Sequence, residues 1–224
     1  MIEGPHLVAE ALQARLEPIT LIVSETGLKK SEVRRLVGRR EPVVLGDHIF
    51  GIVADAETPP GIAAEIEVPR SSGKASGPAV FLEGVQDPAN VGAILRSAAA
   101  FGVGEVLVDR ACADPWSSKV LRGAMGAHFK LALRQVADLA KSVADFQGTT
   151  VCTVSGGGTP LTEIPFGERV GWIFGSEGRG VSESVRGRAK VRATIPMAAG
   201  TESLNVAAAA AICLYQGYLR GEAQ

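Results

Sequence analysis

Little in this chain points toward a membrane or an oxidising compartment. The first residues, Met1-Ile2-Glu3-Gly4-Pro5, hold no basic region followed by an apolar stretch, so no secretory signal is expected. Long hydrophobic runs are missing too: the most apolar segment, Val206 to Leu214, is alanine-rich and well short of the roughly 20 residues that cross a bilayer. It is expected to be a packed helix, and no membrane partner is expected. Cysteine is scarce, and Cys112, Cys152 and Cys213 are far apart, odd in number and without metal-ligand spacing. That excludes a disulfide framework, suits reduced thiols in the cytoplasm, and leaves each as a small buried hydrophobe. No metal site is expected. An excess of one charge is also absent: the net charge of -1 excludes a globally basic protein that would bind nucleic acid without discrimination. Local clusters then matter more than the sum, and no internal repeat is visible.

What is present is a substantial core, 46% of 224 residues being hydrophobic, in a length that suits one domain or two small ones. Punctuation decides between them. Pro69-Arg70-Ser71-Ser72-Gly73-Lys74-Ala75-Ser76-Gly77-Pro78 lacks apolar periodicity and is dense in breakers. The expected division is a small α/β module over 1–70, a linker over 71–78 and a second domain over 79–224.

In the first module, His6 to Arg15 carries Leu7, Ala11 and Leu12 at helical spacing, followed by a strand over Ile19 to Val23. A second helix is expected from Ser31, acting as its cap. Between Lys29 and Arg40 stand six cations, Lys29, Lys30, Arg34, Arg35, Arg39 and Arg40, against the single acid Glu32. Such a run is either solvated helix surface or a phosphate-contacting patch. Val43 to Leu45 and His48 to Val53 read as short strands, Pro59-Pro60-Gly61 as a turn, and Ala63 to Val68 as a last extended run. No catalytic constellation lies here.

The second domain alternates strands and helices: strands over Ala79 to Leu82, Glu105 to Val108, Thr149 to Val154, Val170 to Phe174 and Ala193 to Ile195, with helices from Asn90 to Phe101 and from Leu204 to Leu219. That order implies an α/β fold with a mostly parallel sheet covered on both faces. The consecutive alanines Ala207 to Ala211 favour close packing of the last helix against a sheet, a loop or a second subunit.

Glycine-rich turns divide by context. Gly102-Val103-Gly104 follows a helix, the reverse of a dinucleotide fingerprint, and reads as helix termination. Ser155-Gly156-Gly157-Gly158-Thr159 follows a strand with unencumbered backbone amides and reads as a ligand border or a plain turn. Gly175-Ser176-Glu177-Gly178-Arg179-Gly180 also follows a strand but lacks the Lys-Ser/Thr ending of a P-loop, which argues against an NTPase. A nicotinamide-dependent dehydrogenase lacks its strand-then-glycine fingerprint as well.

Asn90 is expected to cap its helix, and Arg96 is the only charge among Ile94, Leu95, Ala98 and Ala99; a guanidinium in such company implies an anionic partner, and phosphate suits it. Glu177 is a turn carboxylate at a strand end, and Ser203 and Asn205 frame Leu204 where the last helix begins, as caps or as site residues. Such strand ends are where α/β sheets hold ligands.

Read together, these blocks are more specific. Asp87-Pro88, Asn90 to Arg96 and Phe101-Gly102 resemble the first motif of the SpoU branch of the SPOUT class of RNA methyltransferases. Phe174-Gly175-Ser176-Glu177-Gly178 resembles the second motif, and Ile195-Pro196-Met197 with Ser203-Leu204-Asn205-Val206 the third. His6-Leu7-Val8-Ala9-Glu10-Ala11-Leu12 is similar to the family's substrate-binding module. The resemblance implies a C-terminal segment threaded into a trefoil knot where pattern alone gives an ordinary doubly wound sheet. It implies S-adenosylmethionine as methyl donor, a ribose 2'-hydroxyl of RNA as acceptor, and a homodimer. It implies Arg96, Asn90, Glu177, Ser203 and Asn205 as catalytic residues, and Ser155, Gly156, Phe174, Gly175, Glu177, Ile195, Met197, Ser203 and Leu204 around the cofactor. Asn90 would orient Arg96 or the ribose, and Glu177 would hold Arg96 or the hydroxyl. Lys29, Lys30, Arg34, Arg35, Arg39, Arg40 and Arg96 would contact RNA, ribosomal RNA ahead of transfer RNA. Ser117 to Ala127, with Lys119 and Arg122, is similar to a segment near the acceptor, although Ala124 stands where the family often has a hydroxyl. A catalytically silent RNA-binding protein on the same scaffold is the alternative.

Overall fold

The computed structural model describes residues 1–69 and 77–222 and divides into two compact units, Met1–Arg70 and Ser71–Gln224. Most of the expected linker, residues 71–76, lies outside the described residues.

The first unit is built from β1 (Ile2–Glu3), α1 (Pro5–Gln13), β2 (Thr20–Ser24), α2 (Glu25–Lys29), α3 (Ser31–Val37), β3 (Val43–Leu45), α4 (Asp47–Val53) and β4 (Ile62–Glu65). Its sheet runs β1-β4-β2-β3, with β4 antiparallel to both neighbours and β2 parallel to β3. Leu7, Val8 and Ala11 of α1 turn into the core, as their helical spacing requires.

Three local expectations are corrected here. His48 to Val53 is helical rather than extended: the Asp47 carboxylate accepts from the Thr26 amide at 3.1 Å and its hydroxyl at 2.7 Å, and only Phe50 of the helix is buried. Those hydrogen bonds hold the Asp47 carboxyl below its ordinary range. The basic run is two short helices, and Ser31 is the first residue of α3 rather than its cap; the hydroxyl that caps a helix there is Ser24, which accepts from Gly27 N at the start of α2. Lys29, Lys30, Arg34, Arg35 and Arg39 are exposed. Arg40 is not free for a ligand, because it is committed to Glu17 through Nε at 3.0 Å and Nη2 at 3.1 Å.

The second unit comprises β5 (Ala79–Glu83), α5 (Pro88–Ala100), β6 (Glu105–Val108), α6 (Ser118–Ala124), β7 (Ala132–Gln135), α7 (Leu139–Ala144), β8 (Thr149–Thr153), β9 (Thr159–Pro160), β10 (Val170–Gly175), α8 (Glu183–Arg186), β11 (Val191–Thr194) and α9 (Val206–Glu222). Its seven strands run β7-β6-β5-β10-β8-β11-β9, and every pairing is parallel.

β10 shows why the apolar run forms a central strand. Trp172 and Phe174 pack into a core with α5, α6 and α9, while Ile173 points through the sheet into a second core with α7 and α8. All six residues of β10 are buried, and each large side chain so covered stabilises the fold by about 1.5–3 kcal/mol. α5 ends at Ala100, and the chain leaves it through Gly102, whose φ of 69° is open to glycine and costly for other residues. The three cysteine thiols are buried and free, and burial pushes Cys112 and Cys213 up to about 12 and Cys152 to about 11, so they stay protonated and inert. Among the described residues, no helix is long and apolar enough to cross a membrane, and no group of acids, histidines and cysteines converges as a metal site.

Candidate active site

The carboxyl ends of β8, β10 and β11 open onto a cavity of about 440 Å³. Three stretches and one residue of α8 wall it. Thr153, Val154 and Ser155 come from the end of β8; Phe174 to Val181 from the end of β10 and the turn after it; Ile195, Met197 and Glu202 to Leu204, with Val206 and Ala209, from the end of β11 and the start of α9. α8 contributes Arg186.

The turn after β10 is tight for a definite reason. Ser176 and Gly180 face each other across an isolated antiparallel bridge, with Gly180 N donating to Ser176 O at 2.8 Å. Gly180 has φ 65°, and a Cβ on Gly175 would stand 2.2 Å from the carbonyl carbon of Gly180 and 2.4 Å from Val181 N. The chain doubles back against Gly175 with no room for a side chain, which leaves Glu177 exposed at the tip.

Glu177 is not loose there. Asn90 Nδ2 donates to Glu177 Oε1, and Asn205 Nδ2 donates to Asn90 Oδ1 at 3.0 Å. The direction of this chain is set by α9. Asn205 Oδ1 accepts from Ala207 N at 2.9 Å and Ala208 N at 3.3 Å, capping the helix, so its amide must donate elsewhere. Asn90 therefore presents its oxygen to Asn205 and its NH2 to the carboxylate. One helix cap fixes the polarity of two amides and the seat of a third group.

Asn90 does not cap α5, contrary to the expectation from sequence. Asp87 does, accepting from Ala89 N at 2.8 Å, with Pro88 at the first helical position. Relieved of that duty, the Asn90 side chain is available to bridge Glu177 and Asn205.

Arg96 is exposed, while Ile94, Leu95 and Ala98 around it are buried. At 3.6 residues per turn it stands about 120° round α5 from Asn90, so the two do not share a face. Among the described residues it has no hydrogen-bond or ion-pair partner, so neither Asn90 nor Glu177 holds it, contrary to the sequence expectation. Its guanidinium is available to an anion from outside the chain.

Of the expected cofactor residues, Ser155, Phe174, Gly175, Glu177, Ile195, Met197, Ser203 and Leu204 line the cavity, and Gly156 does not. Sequence reasoning did not select Ser176, Arg179, Gly180, Arg186 or Glu202. The first three were legible in the glycine-rich run after β10. Arg186 arrives from α8, and no motif marked it.

Comparison with known proteins adds to this geometry. Residues 77–215 match the model of the SpoU rRNA Methylase family, and residues 1–64 match an MRM3-like substrate binding domain. The chain is 32% identical to the 23S rRNA (guanosine(2553)-2'-O)-methyltransferase RlmP of Bacillus subtilis, over 99% of this chain and 88% of that protein. It is 28% identical to the 23S rRNA (guanosine-2'-O-)-methyltransferase RlmB of Bordetella pertussis, over 96% of this chain and 95% of that one. The crystal structure of the SpoU methyltransferase AviRb from Streptomyces viridochromogenes, in complex with AdoMet, superposes with a TM-score of 0.85 at 24% identity, over 97% and 88% of the two chains. That last likeness speaks to the fold.

Proposed function

The chain belongs to the SpoU rRNA methylase family, and from that membership we propose that it transfers a methyl group from S-adenosylmethionine to a ribose 2'-hydroxyl of ribosomal RNA, in the cytoplasm. The observation that carries this reading is the hydrogen-bonded run Asn205–Asn90–Glu177, which ties the three sequence blocks together beside one cavity. Curated relatives that act on 23S rRNA support the substrate class.

The cavity suits the donor chemically. Phe174, Ile195, Met197, Leu204 and Val206 supply apolar walls, and the carboxylates of Glu177 and Glu202 suit a cationic centre. S-adenosylmethionine supplies an electrophilic sulfonium methyl when bound. The remaining demand is on the acceptor, since a ribose hydroxyl is a poor nucleophile until it sheds its proton. A guanidinium does not deprotonate in proteins. Arg96 therefore acts by gripping the neighbouring phosphate and stabilising the alkoxide charge as it develops, while the proton leaves to phosphate or water. Glu177, oriented by Asn90, faces the cavity; Ser203 closes it from the α9 side.

The same reading includes the knot and the dimer. Return of the chain from β11 past the 176–180 turn into α9, which packs on α5 and β10, supports a threaded C-terminal segment. Ile212, Tyr215 and Leu219 stand exposed three and four residues apart on α9, an apolar stripe of the kind a second subunit covers. Sedimentation at twice the chain mass of 23.2 kDa is the expected result; a monomer at micromolar concentration contradicts the dimer. The exposed cations Lys29, Lys30, Arg34, Arg35 and Arg39 are assigned to RNA phosphates.

Asn90→Asp tests the network. It keeps the shape and the acceptor for Asn205 but sets a carboxylate against Glu177. A hydrogen bond to a charged group contributes about 1.5–3 kcal/mol, so kcat/KM is expected to fall roughly ten- to a hundredfold with the melting temperature nearly unchanged. Wild-type kinetics would remove the network from the mechanism.

A further inference from the structure

A second basic strip lies in the catalytic unit, apart from the Lys29–Arg40 run. Between residues 179 and 192 the sequence places five cations, Arg179, Arg186, Arg188, Lys190 and Arg192, against one acid, Glu183. In a chain of net charge -1 this is a strong local excess.

The structure brings three of them, Arg179, Arg186 and Arg192, onto one side of the sheet. Val181 and Val185 anchor α8 in the core that also contains Cys152 and Ile173. Arg192 of β11 stands beside Cys152 of β8 in the parallel register, so its side chain leaves the sheet on that same face. Two electrostatic effects agree with the placement. Glu183 is held below its ordinary range first by Arg186 and to a lesser degree by Arg192, and both guanidinia bear on the Cys152 thiol. At the inner end, Arg179 and Arg186 are part of the cavity wall.

Few of these charges are spent within the protein. Arg186 pairs with Glu183, and Lys190 Nζ donates to Gly148 O at 2.6 Å. The guanidinia of Arg179, Arg188 and Arg192 have no hydrogen-bond or ion-pair partner among the described residues, and all three residues are exposed. Of the nearby carboxylates, Glu83 is occupied by the Ser182 amide at 2.7 Å and hydroxyl at 2.6 Å, while Glu177 and Glu202 stand at the cavity end.

We propose that this strip, Arg179 to Arg192, is a second RNA-backbone contact of the catalytic unit, gripping phosphates of the strand that flanks the modified nucleotide. The inference rests on the RNA methyltransferase reading above. Planar guanidinium forks suit phosphate oxygens. Its inner end, Arg179 and Arg186, lies in the cavity wall, and Arg192 beside Cys152 continues it away from the cavity, so the strip can register the strand without touching the reacting atoms.

The test uses the double variant R188Q/R192Q, since neither residue lines the cavity. Each lost phosphate contact flattens the slope of log affinity against log salt by about 0.7 to 0.9. The variant is therefore expected to show a slope shallower by about 1.4 to 1.8, RNA binding weaker by roughly tenfold at low salt, and unchanged affinity for S-adenosylmethionine. R188K/R192K is expected to restore most of the slope. RNA binding and salt dependence equal to wild type would overturn the strip, as would a loss confined to cofactor affinity. Methyl transfer by the wild-type chain is read on the same RNA, so failure of the strip is separable from failure of the functional reading.

Discussion

Replacing Arg96 by alanine is expected to slow methyl transfer by roughly a hundred- to a thousandfold, the usual cost of removing one preorganised charge from a developing oxyanion. Affinity for S-adenosylmethionine and the melting temperature should stay near wild type. The structure gives the reason for that separation. Arg96 is exposed and has no partner among the described residues, so the fold loses no ion pair when it is removed. It is also absent from the wall of the 440 Å³ cavity. Arg96→Lys is the informative companion. It keeps the charge but loses the planar fork, so partial recovery indicates electrostatic stabilisation and no recovery indicates bidentate phosphate binding. Single-turnover rates beside calorimetric cofactor binding check both. Unchanged turnover in the alanine variant contradicts the role.

Gly175→Ala adds one carbon where none fits. The new atom would lie 2.2–2.4 Å from the backbone of Gly180 and Val181, and backbone cannot swing aside as a flexible side chain can. Either the 176–180 turn opens, carrying Glu177 away from Asn90, or β10 shifts against β5 and β8 in the middle of the sheet. Overpacking of this kind costs about 1–3 kcal/mol, and more when the neighbours are fixed. The expected result is loss of measurable cofactor binding together with a clear drop in thermal stability. Gly178→Ala is the control for the fold, since a Cβ there has nothing within 4 Å, and it should keep the wild-type melting temperature. Equal behaviour of the two variants would show that the tight turn is not what shapes the site.

The contrast between these glycines indicates what was legible from residues alone. Runs buried on both faces, such as Val170 to Phe174, announce central parallel strands because no polar residue interrupts them. The parallel sheet follows from strands alternating with helices, but only five of its seven strands were expected; the short edge strands β7 (Ala132–Gln135) and β9 (Thr159–Pro160) were not. Short elements set by distant partners were not legible. His48 to Val53 is rich in β-branched residues, yet it forms α4 because Asp47 is tied to Thr26, 21 residues earlier. Arg40 looked like the sixth cation of an open face, but Glu17 occupies it from 23 residues away. The Asn90 cap was misplaced although Asp87-Pro88 carried the local signal.

For the site, the sequence blocks named the residues but not their connections. The rotation that separates Asn90 from Arg96 was legible in their six-residue spacing, but that Asn90 serves Glu177 and Asn205 depends on the tertiary approach of the 176–180 turn and of the start of α9, which spacing does not give. Arg186 and Glu202 join the cavity only through tertiary placement. The SpoU resemblance carried the chemistry, and the geometry assigned the hydrogen bonds.

The most direct measurement is methyl transfer itself. The 224-residue chain is incubated with methyl-labelled S-adenosylmethionine and ribosomal RNA, with Arg96→Ala alongside, and the labelled nucleotide is mapped. Label on a ribose 2'-oxygen of the RNA, almost abolished by the Arg96 substitution, is the predicted result. Label on a base, or RNA left unlabelled by a chain that binds the cofactor, would contradict the account.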